Sequence, residues 1–346
     1  AASGLYRVRY TGKQSTSKAD SELPPAVAKA RNARRRLETY HGVSLNEQDS
    51  KAALDDAWPY LSSEDRFLRN AARVAVESQP VQFWADRVLK EDDPQAFITS
   101  AIALARVGAD SEINISLQLL LLNELVKAKV ESDSQLLGLL RAVSLTCMRL
   151  GAPEREQRAA LLERFDGMLP HSNPDVNTEL IRLLVYLRSP TVAAKAIQLI
   201  VDREPPVIPD WTELAGRNGG YGGTVKRILE NHPPSREIGY ALALRNLRTG
   251  WTIEDRRAFF EFLNEAGKAS GGSSFPGFMR NIRDEALANC LDSERIALQD
   301  LTGENYDPVP DFEIKKLAGP GREWTLAEAR SKATGFKKAS FNRKST

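Results

Sequence analysis

From Ser62 onward the chain repeats one local pattern: a run of helix-forming residues with an apolar stripe, a break at Pro, Asp or Ser, and another run. Phe67, Leu68, Ala71, Ala72, Val74 and Ala75 recur at the spacings of one helix face, as do Phe97, Ile98, Ala101, Ile102, Leu104 and Ala105. Ser62 and Ser63 are N-cap candidates for the first of these helices. Pro80 restarts the chain into Phe83, Trp84, Val88 and Leu89. Pro94 opens the next helix, where a missing N–H costs nothing. The same reading predicts helices over 112–129, 133–150, 154–169, 175–188 and 191–202, then over 224–231, 234–248, 252–267 and 275–291. A basic helix at 26–41, closed by Gly42, precedes them all. Thr252 is a further N-cap, with Glu254 and Asp255 in a first turn whose dipole favours acids.

A short helix with one apolar stripe must bury it against a neighbour. Pairs of such helices spaced by roughly 30–45 residues point to stacked repeats. The fold class expected is therefore all-α: a HEAT/armadillo-like α-solenoid with a short N-terminal strand remnant and an irregular C-terminal tail. An irregular helical bundle is the alternative. Ser63 to Arg73 looks like a HEAT-type unit, with an Asp near the helix start, an aliphatic-Arg pair and a stripe of small residues. Asn173 to Leu187 with its following helix looks like another.

The expected organisation runs in five parts. Residues 1–25 hold the alternating run Gly4 to Gly12, read as the remnant of a preceding propeller-like strand, and a polar linker. Residues 26–203 form helical repeats. Residues 204–223 are a loop, because Pro205, Pro206 and Pro209 forbid a continuous helix and five glycines surround Tyr221. Residues 224–300 resume the repeats, and 301–346 form a linker, a short helix capped by Thr325 and a basic tail leading to a missing domain. The tail from Lys337 to Lys344 is expected to be disordered in isolation. The chain reads as the middle of a larger protein.

Composition narrows the function classes. A net charge of +2 over 346 residues is too small for a chain-wide electrostatic nucleic-acid binder. Two cysteines, Cys147 and Cys290, exclude a disulfide framework. No apolar run reaches the roughly 18 residues that a transmembrane helix needs, so no transmembrane segment is expected. The six basic residues from Arg330 to Thr346 and the five from Lys29 to Arg36 read as solvated faces or linkers.

Chemistry-bearing motifs fail one after another. In Gly216 to Thr224 a glycine stands where a phosphate-binding loop needs its lysine, and no buried strand precedes it. His41, His171 and His232 are widely separated, with no i, i+4 pair for zinc. Neither cysteine lies in a Cys-x-x-Cys-His sequence, so both read as structural. No serine sits in a Gly-x-Ser-x-Gly elbow. Catalytic, cofactor-binding and metal residues are accordingly expected to number none. What remains is a possible interaction surface of arginines: Arg66, Arg69, Arg73, Arg182, Arg245, Arg280 and Arg283. Their bland alternative is solvated helix flanks.

The order of segments resembles the central region of large modular secreted proteins of planctomycetes, in which a sorbosone-dehydrogenase-like β-propeller is followed by a HEAT-like helical region and a C-terminal cytochrome c domain. The likeness rests on Gly4 to Gly12 as a final propeller strand and on Arg34 to Glu38 with His41-Gly42 as a linker helix. It continues through Trp58-Pro59-Tyr60-Leu61 to Arg73, Gly250-Trp251-Thr252, Ser274-Phe275 with Phe278, and Gly319 to Glu328. The resemblance implies a non-catalytic scaffold or interaction region of a larger haem c-linked dehydrogenase of sugars or alcohols. Its partners would be the preceding propeller and the following cytochrome c domain, its cofactor the haem c of that parent, and its location periplasmic or otherwise extracytoplasmic. No nucleic acid enters this reading. The family's redox residues have no positions here to which they can be carried. A stand-alone protein–protein interaction solenoid without a redox role is the alternative.

Overall fold

The computed structural model of the chain describes residues 7, 9–14, 23–42, 46–110, 114–204, 232–269, 272, 274–303, 325 and 327–328. Among these the regular structure is entirely helical. The chain enters α1 (Pro25–Glu38), α2 (Glu47–Ala57), α3 (Arg66–Glu77), α4 (Ala85–Leu89) and α5 (Pro94–Val107). It continues through α6 (Asn114–Lys127), α7 (Asp133–Arg149), α8 (Arg155–Phe165), α9 (Pro174–Tyr186) and α10 (Val192–Val201). Beyond residue 231 come α11 (Ser235–Leu244), α12 (Ile253–Ala266), α13 (Phe275–Ala288), α14 (Asp292–Ala297) and α15 (Gln299–Thr302).

Arg7 and Arg9 to Thr11, the described part of the expected opening strand, are not in a strand. The helix expected at 224–231, nearly all of the 204–223 loop and most of 301–346 lie outside the described residues. At Thr325 the backbone N–H donates to Glu328 Oε2 at 3.0 Å, and the Thr325 hydroxyl accepts from the Glu328 N–H at 3.3 Å, the reciprocal pair of a capping box.

Several helices begin where cap chemistry dictates. Asp93 accepts the Ala96 N–H at 2.7 Å ahead of Pro94, and Asn173 accepts the Asp175 N–H at 2.9 Å ahead of Pro174. Thr252 and Asp255 form a reciprocal capping box at α12. At α3 the cap is Asp65, not Ser62 or Ser63, and its carboxylate accepts the Phe67 and Leu68 N–H groups. Helix α2 opens on Asn46, which accepts the Asp49 N–H.

Packing follows a ladder of helices near one another in sequence. The odd-numbered helices pack in succession, α1 on α3, α3 on α5, α5 on α7, α7 on α9, α9 on α11 and α11 on α13. Among the even-numbered helices α4 meets α6, α6 meets α8 and α10 meets α12, and α12 also meets α14 and α15. Consecutive helices, such as α2 with α3, α6 with α7 and α9 with α10, also pack together. Alanines make the close approach possible: Ala71, Ala72 and Ala75 of α3 and Ala101, Ala103 and Ala105 of α5 are all buried. Larger side chains fill the core, among them Trp84, which is 1% exposed and donates its indole N–H to the Gln79 carbonyl at 3.1 Å. Toward the C-terminal end the filling turns aromatic, with Trp251 edge-on to Phe259 and Phe259 edge-on to Phe260, centroids 5.5 Å and 5.4 Å apart.

Polar clamps tie the turns. Asp166, just after α8, receives the Lys195 ammonium at 2.7 Å, the Thr191 hydroxyl at 2.8 Å and the Ser189 hydroxyl. Near the C-terminal ends of α1 and α2, Arg36 forks onto both Asp56 carboxylate oxygens at 2.8 Å. Asn173 reaches from the start of α9 to Asp133 at the start of α7, 2.8 Å away, so these two helices begin side by side.

Candidate functional site

Three of the seven arginines singled out from the sequence come together, and four do not. Arg66, Arg69 and Arg73 lie at i, i+3 and i+7 of α3, hence on one face. That face borders a groove of about 240 Å³ across α3, α5 and α7. Asn70 stands beside the arginines on α3, and Ile98 and Ile102 of α5 supply the apolar part of the lining. Gln95 and Thr99 of α5 add polar groups, joined to each other by a 3.1 Å hydrogen bond. Ser134 and Gly138 of α7 complete it. Among the described residues the lining contains no carboxylate.

The arginines differ in what already engages them. Arg73 donates to Glu77 and, at 2.8 Å, to Asn70 Oδ1. Glu77 is shared with Arg106 of α5, whose Nε lies 2.9 Å away, so this carboxylate pins α3 to α5. Arg69 donates to the Ser63 carbonyl, which orients the guanidinium without neutralising it. Arg66 is exposed, stands 4.7 Å over the Phe67 ring, and makes no hydrogen bond or ion pair among the described residues. Phe67 itself is 58% exposed. The groove thus carries two guanidinium charges without a partner acid, one positioned and one free.

The other arginines serve separate places. Arg182 on α9 pairs with Glu179 at 2.7 Å. Arg245 follows α11 and donates to Glu285 of α13, joining those helices. Arg283 of α13 donates to the Thr302 carbonyl at 2.9 Å, and Arg280 is exposed on the same helix. These four do not converge on the α3 groove. No family model matches the chain, and no curated protein or solved structure matches it.

The remaining reactive side chains are engaged locally. His41 Nε2 is 2.8 Å from the Ala71 carbonyl, His171 Nδ1 accepts the Asn173 N–H at 3.0 Å, and His232 Nδ1 is 2.8 Å from the Pro233 carbonyl. Among the described residues no three His, Cys, Asp or Glu side chains are grouped to hold a metal ion. Both cysteines are free thiols in the core; burial pushes Cys147 up to about 11 and raises Cys290 as well. No described helix is long and apolar enough to cross a membrane. A second hollow, of about 260 Å³ between α6 and α8, is lined by Leu122, Val126 and Ala160 with Lys127 at its side.

One site residue that sequence reading missed is Arg256 of α12. It is fully buried, with its guanidinium 4.3 Å over the Trp251 ring and Nε 3.6 Å from Glu294. The Glu294 partner is 38 positions away in sequence, and no local pattern announces the pair.

Proposed function

We propose that this chain is a non-catalytic helical scaffold, arranged as a HEAT-like solenoid, that belongs to a larger haem c-linked dehydrogenase acting outside the cytoplasm. The observation that carries the scaffold reading is the ladder of helices, in which the odd-numbered helices from α1 to α13 pack on one another in succession. A helix pair in such a ladder leaves an apolar face that only the following pair can cover, which is the logic of stacked repeats. The all-helical core and the small residues between α3 and α5 support it.

The redox part of the proposal rests on the sequence likeness alone. In that reading a propeller would perform the oxidation and a cytochrome c domain would carry haem and receive the electrons. The scaffold would hold the two at a fixed separation, since small polar interfaces by themselves leave domains free to move. No residue of this chain is assigned to the chemistry.

Sequencing the coding DNA on both sides of the segment tests the proposal. Propeller-coding sequence upstream and a Cys-x-x-Cys-His codon run shortly after Thr346 are the expected result. A start codon and a stop codon at the two ends would overturn the redox reading. The second reading, a free-standing interaction solenoid, is favoured by one observation, the two guanidinium groups of the α3 groove, Arg66 and Arg69, that have no acid partner among the described residues.

A further inference from the structure

We infer that the groove between α3, α5 and α7 is a docking site for an acidic polypeptide segment, in which one Glu or Asp carboxylate sits between Arg66 and Arg69. The inference deepens the interaction-region reading and rests on it.

The charge balance points first to an anion. Arg66 and Arg69 are one helical turn apart, and neither has an acid partner among the described residues. Like charges at this spacing repel by about 0.2–0.5 kcal/mol, and a carboxylate between them turns that repulsion into two charge-assisted hydrogen bonds. The Ser63 carbonyl already holds Arg69, so part of the ordering cost is met before the ligand arrives. The planar guanidinium fork matches a carboxylate in shape as well as sign.

Size and surroundings then select the source of that carboxylate. A space of about 240 Å³ falls below the roughly 300–1,000 Å³ of a pocket that encloses a whole small ligand. It suits one inserted side chain, whose methylenes would lie against Ile98 and Ile102. Exposed Phe67, beside the groove, offers an apolar contact for a neighbouring residue of the same segment. A nucleic acid fits poorly. The helices that form the groove begin with Glu64 and Asp65, Asp92 and Asp93, and Asp133, and these acids would repel an evenly charged phosphate chain. A peptide can place one carboxylate in the groove and leave its flanks neutral.

The test is fluorescence anisotropy of the 346-residue chain with a labelled peptide that carries one central Glu between neutral Ala and Ser flanks, against the same peptide with that Glu replaced by Gln. The Glu peptide is expected to bind at low salt and to weaken as salt rises. Arg66→Glu should weaken it at least about tenfold, the loss of one charge-assisted bond, whereas Arg155→Glu at the start of α8 should leave it unchanged. Arg66 is exposed and makes no hydrogen bond, so its variant should melt with the parent chain; a thermal scan of each variant checks this. The docking site is overturned if the Gln peptide binds equally, if Arg66→Glu retains full affinity, or if Arg155→Glu weakens binding as much. It is also overturned if a single-stranded oligonucleotide of equal length binds as tightly as the Glu peptide. A wild-type chain that captures no acidic peptide removes this site but not the scaffold reading, which the flanking coding sequence decides independently.

Discussion

Ile98 of α5 lies so close to Gly138 of α7 that a Cβ at position 138 would come within 2.8 Å of the Ile98 Cγ2 methyl. That methyl is a branch of a side chain only 1% exposed, so it has little room to retreat. Overpacking at such a point costs about 1–3 kcal/mol, and a Gly-to-Ala change in a helix returns about 1 kcal/mol. Gly138→Val, with more bulk and less of the propensity gain, is expected to lower stability by about 2 kcal/mol. The denaturation midpoint in urea measures this. An unchanged midpoint would mean that α5 and α7 do not approach so closely.

The Asp166 hub predicts a pH dependence with a definite sign. Burial by itself raises the Asp166 pKa, but the Lys195, Ser189 and Thr191 hydrogen bonds outweigh it and hold the group below its usual 3.8. A carboxyl whose folded pKa is depressed contributes stability that is present above its unfolded pKa and lost as pH falls through the folded one. The contribution should therefore be intact at neutral pH and fade below about pH 3.8. Asp166→Ala removes it and leaves the Ser189 hydroxyl, 0% exposed, without its main acceptor. A loss of about 1–3 kcal/mol at pH 7 is expected. Comparing the melting temperatures of the two proteins from pH 7 down to pH 3 checks the sign, because the gap must narrow as pH falls.

Arg256 and Glu294 should respond unequally to truncation. Glu294 is the sole acid paired with the buried guanidinium among the described residues, and it also accepts the Leu291 N–H at 2.7 Å. Glu294→Ala leaves an uncompensated buried charge and should cost about 3–5 kcal/mol. Arg256→Met removes that charge instead, keeps an apolar stem against Trp251, and leaves Glu294 on its backbone donor. Its cost should be clearly smaller. Equal costs in chemical denaturation would contradict the balance of charges given for this site.

The two thiols should be inert while the chain is folded. The Cys147 pKa lies near 11 through burial, and burial also raises Cys290 against the opposing pull of nearby Arg256. Since the thiolate is the reacting species, iodoacetamide at pH 8 should modify neither residue in the native chain and both in denaturant. Mass spectrometry after a short pulse reads the outcome. Rapid native labelling of Cys147 would show that its helix opens without global unfolding.

Much of the helical layout was legible before any coordinates. Asp93 and Pro94, Asn173 and Pro174, and Thr252 with Asp255 announce helix starts through side-chain chemistry that acts within three or four residues. Helix α2 escaped notice because its sequence, Glu47 to Ala57, is mostly polar and its burial rests on Ala53, Leu54 and Ala57. The short helices α14 and α15 carry no apolar stripe, and Ile296 is 75% exposed. At α3 the serines lost the cap to Asp65, and the Ser63 carbonyl instead accepts from Arg69.

The candidate site was legible only in part. Three arginines on α3 share a face because their spacing says so, but their convergence with α5 and α7 depends on helix packing that no local pattern encodes. The Asp166 hub and the Arg256–Glu294 pair were invisible for the same reason, since their partners stand 23 to 38 positions apart.

The ladder also bears on how the chain acquires its structure. The described helices find their main partners among helices near them in sequence, as α3 does in α1 and α5, and α5 in α7. Contacts of short sequence separation close small loops and favour fast folding. On the ribosome, α1 through α4 can begin to close over one another as soon as α5 emerges, long before α13 is synthesised. Nothing in the described contacts requires the first helix to wait for the last.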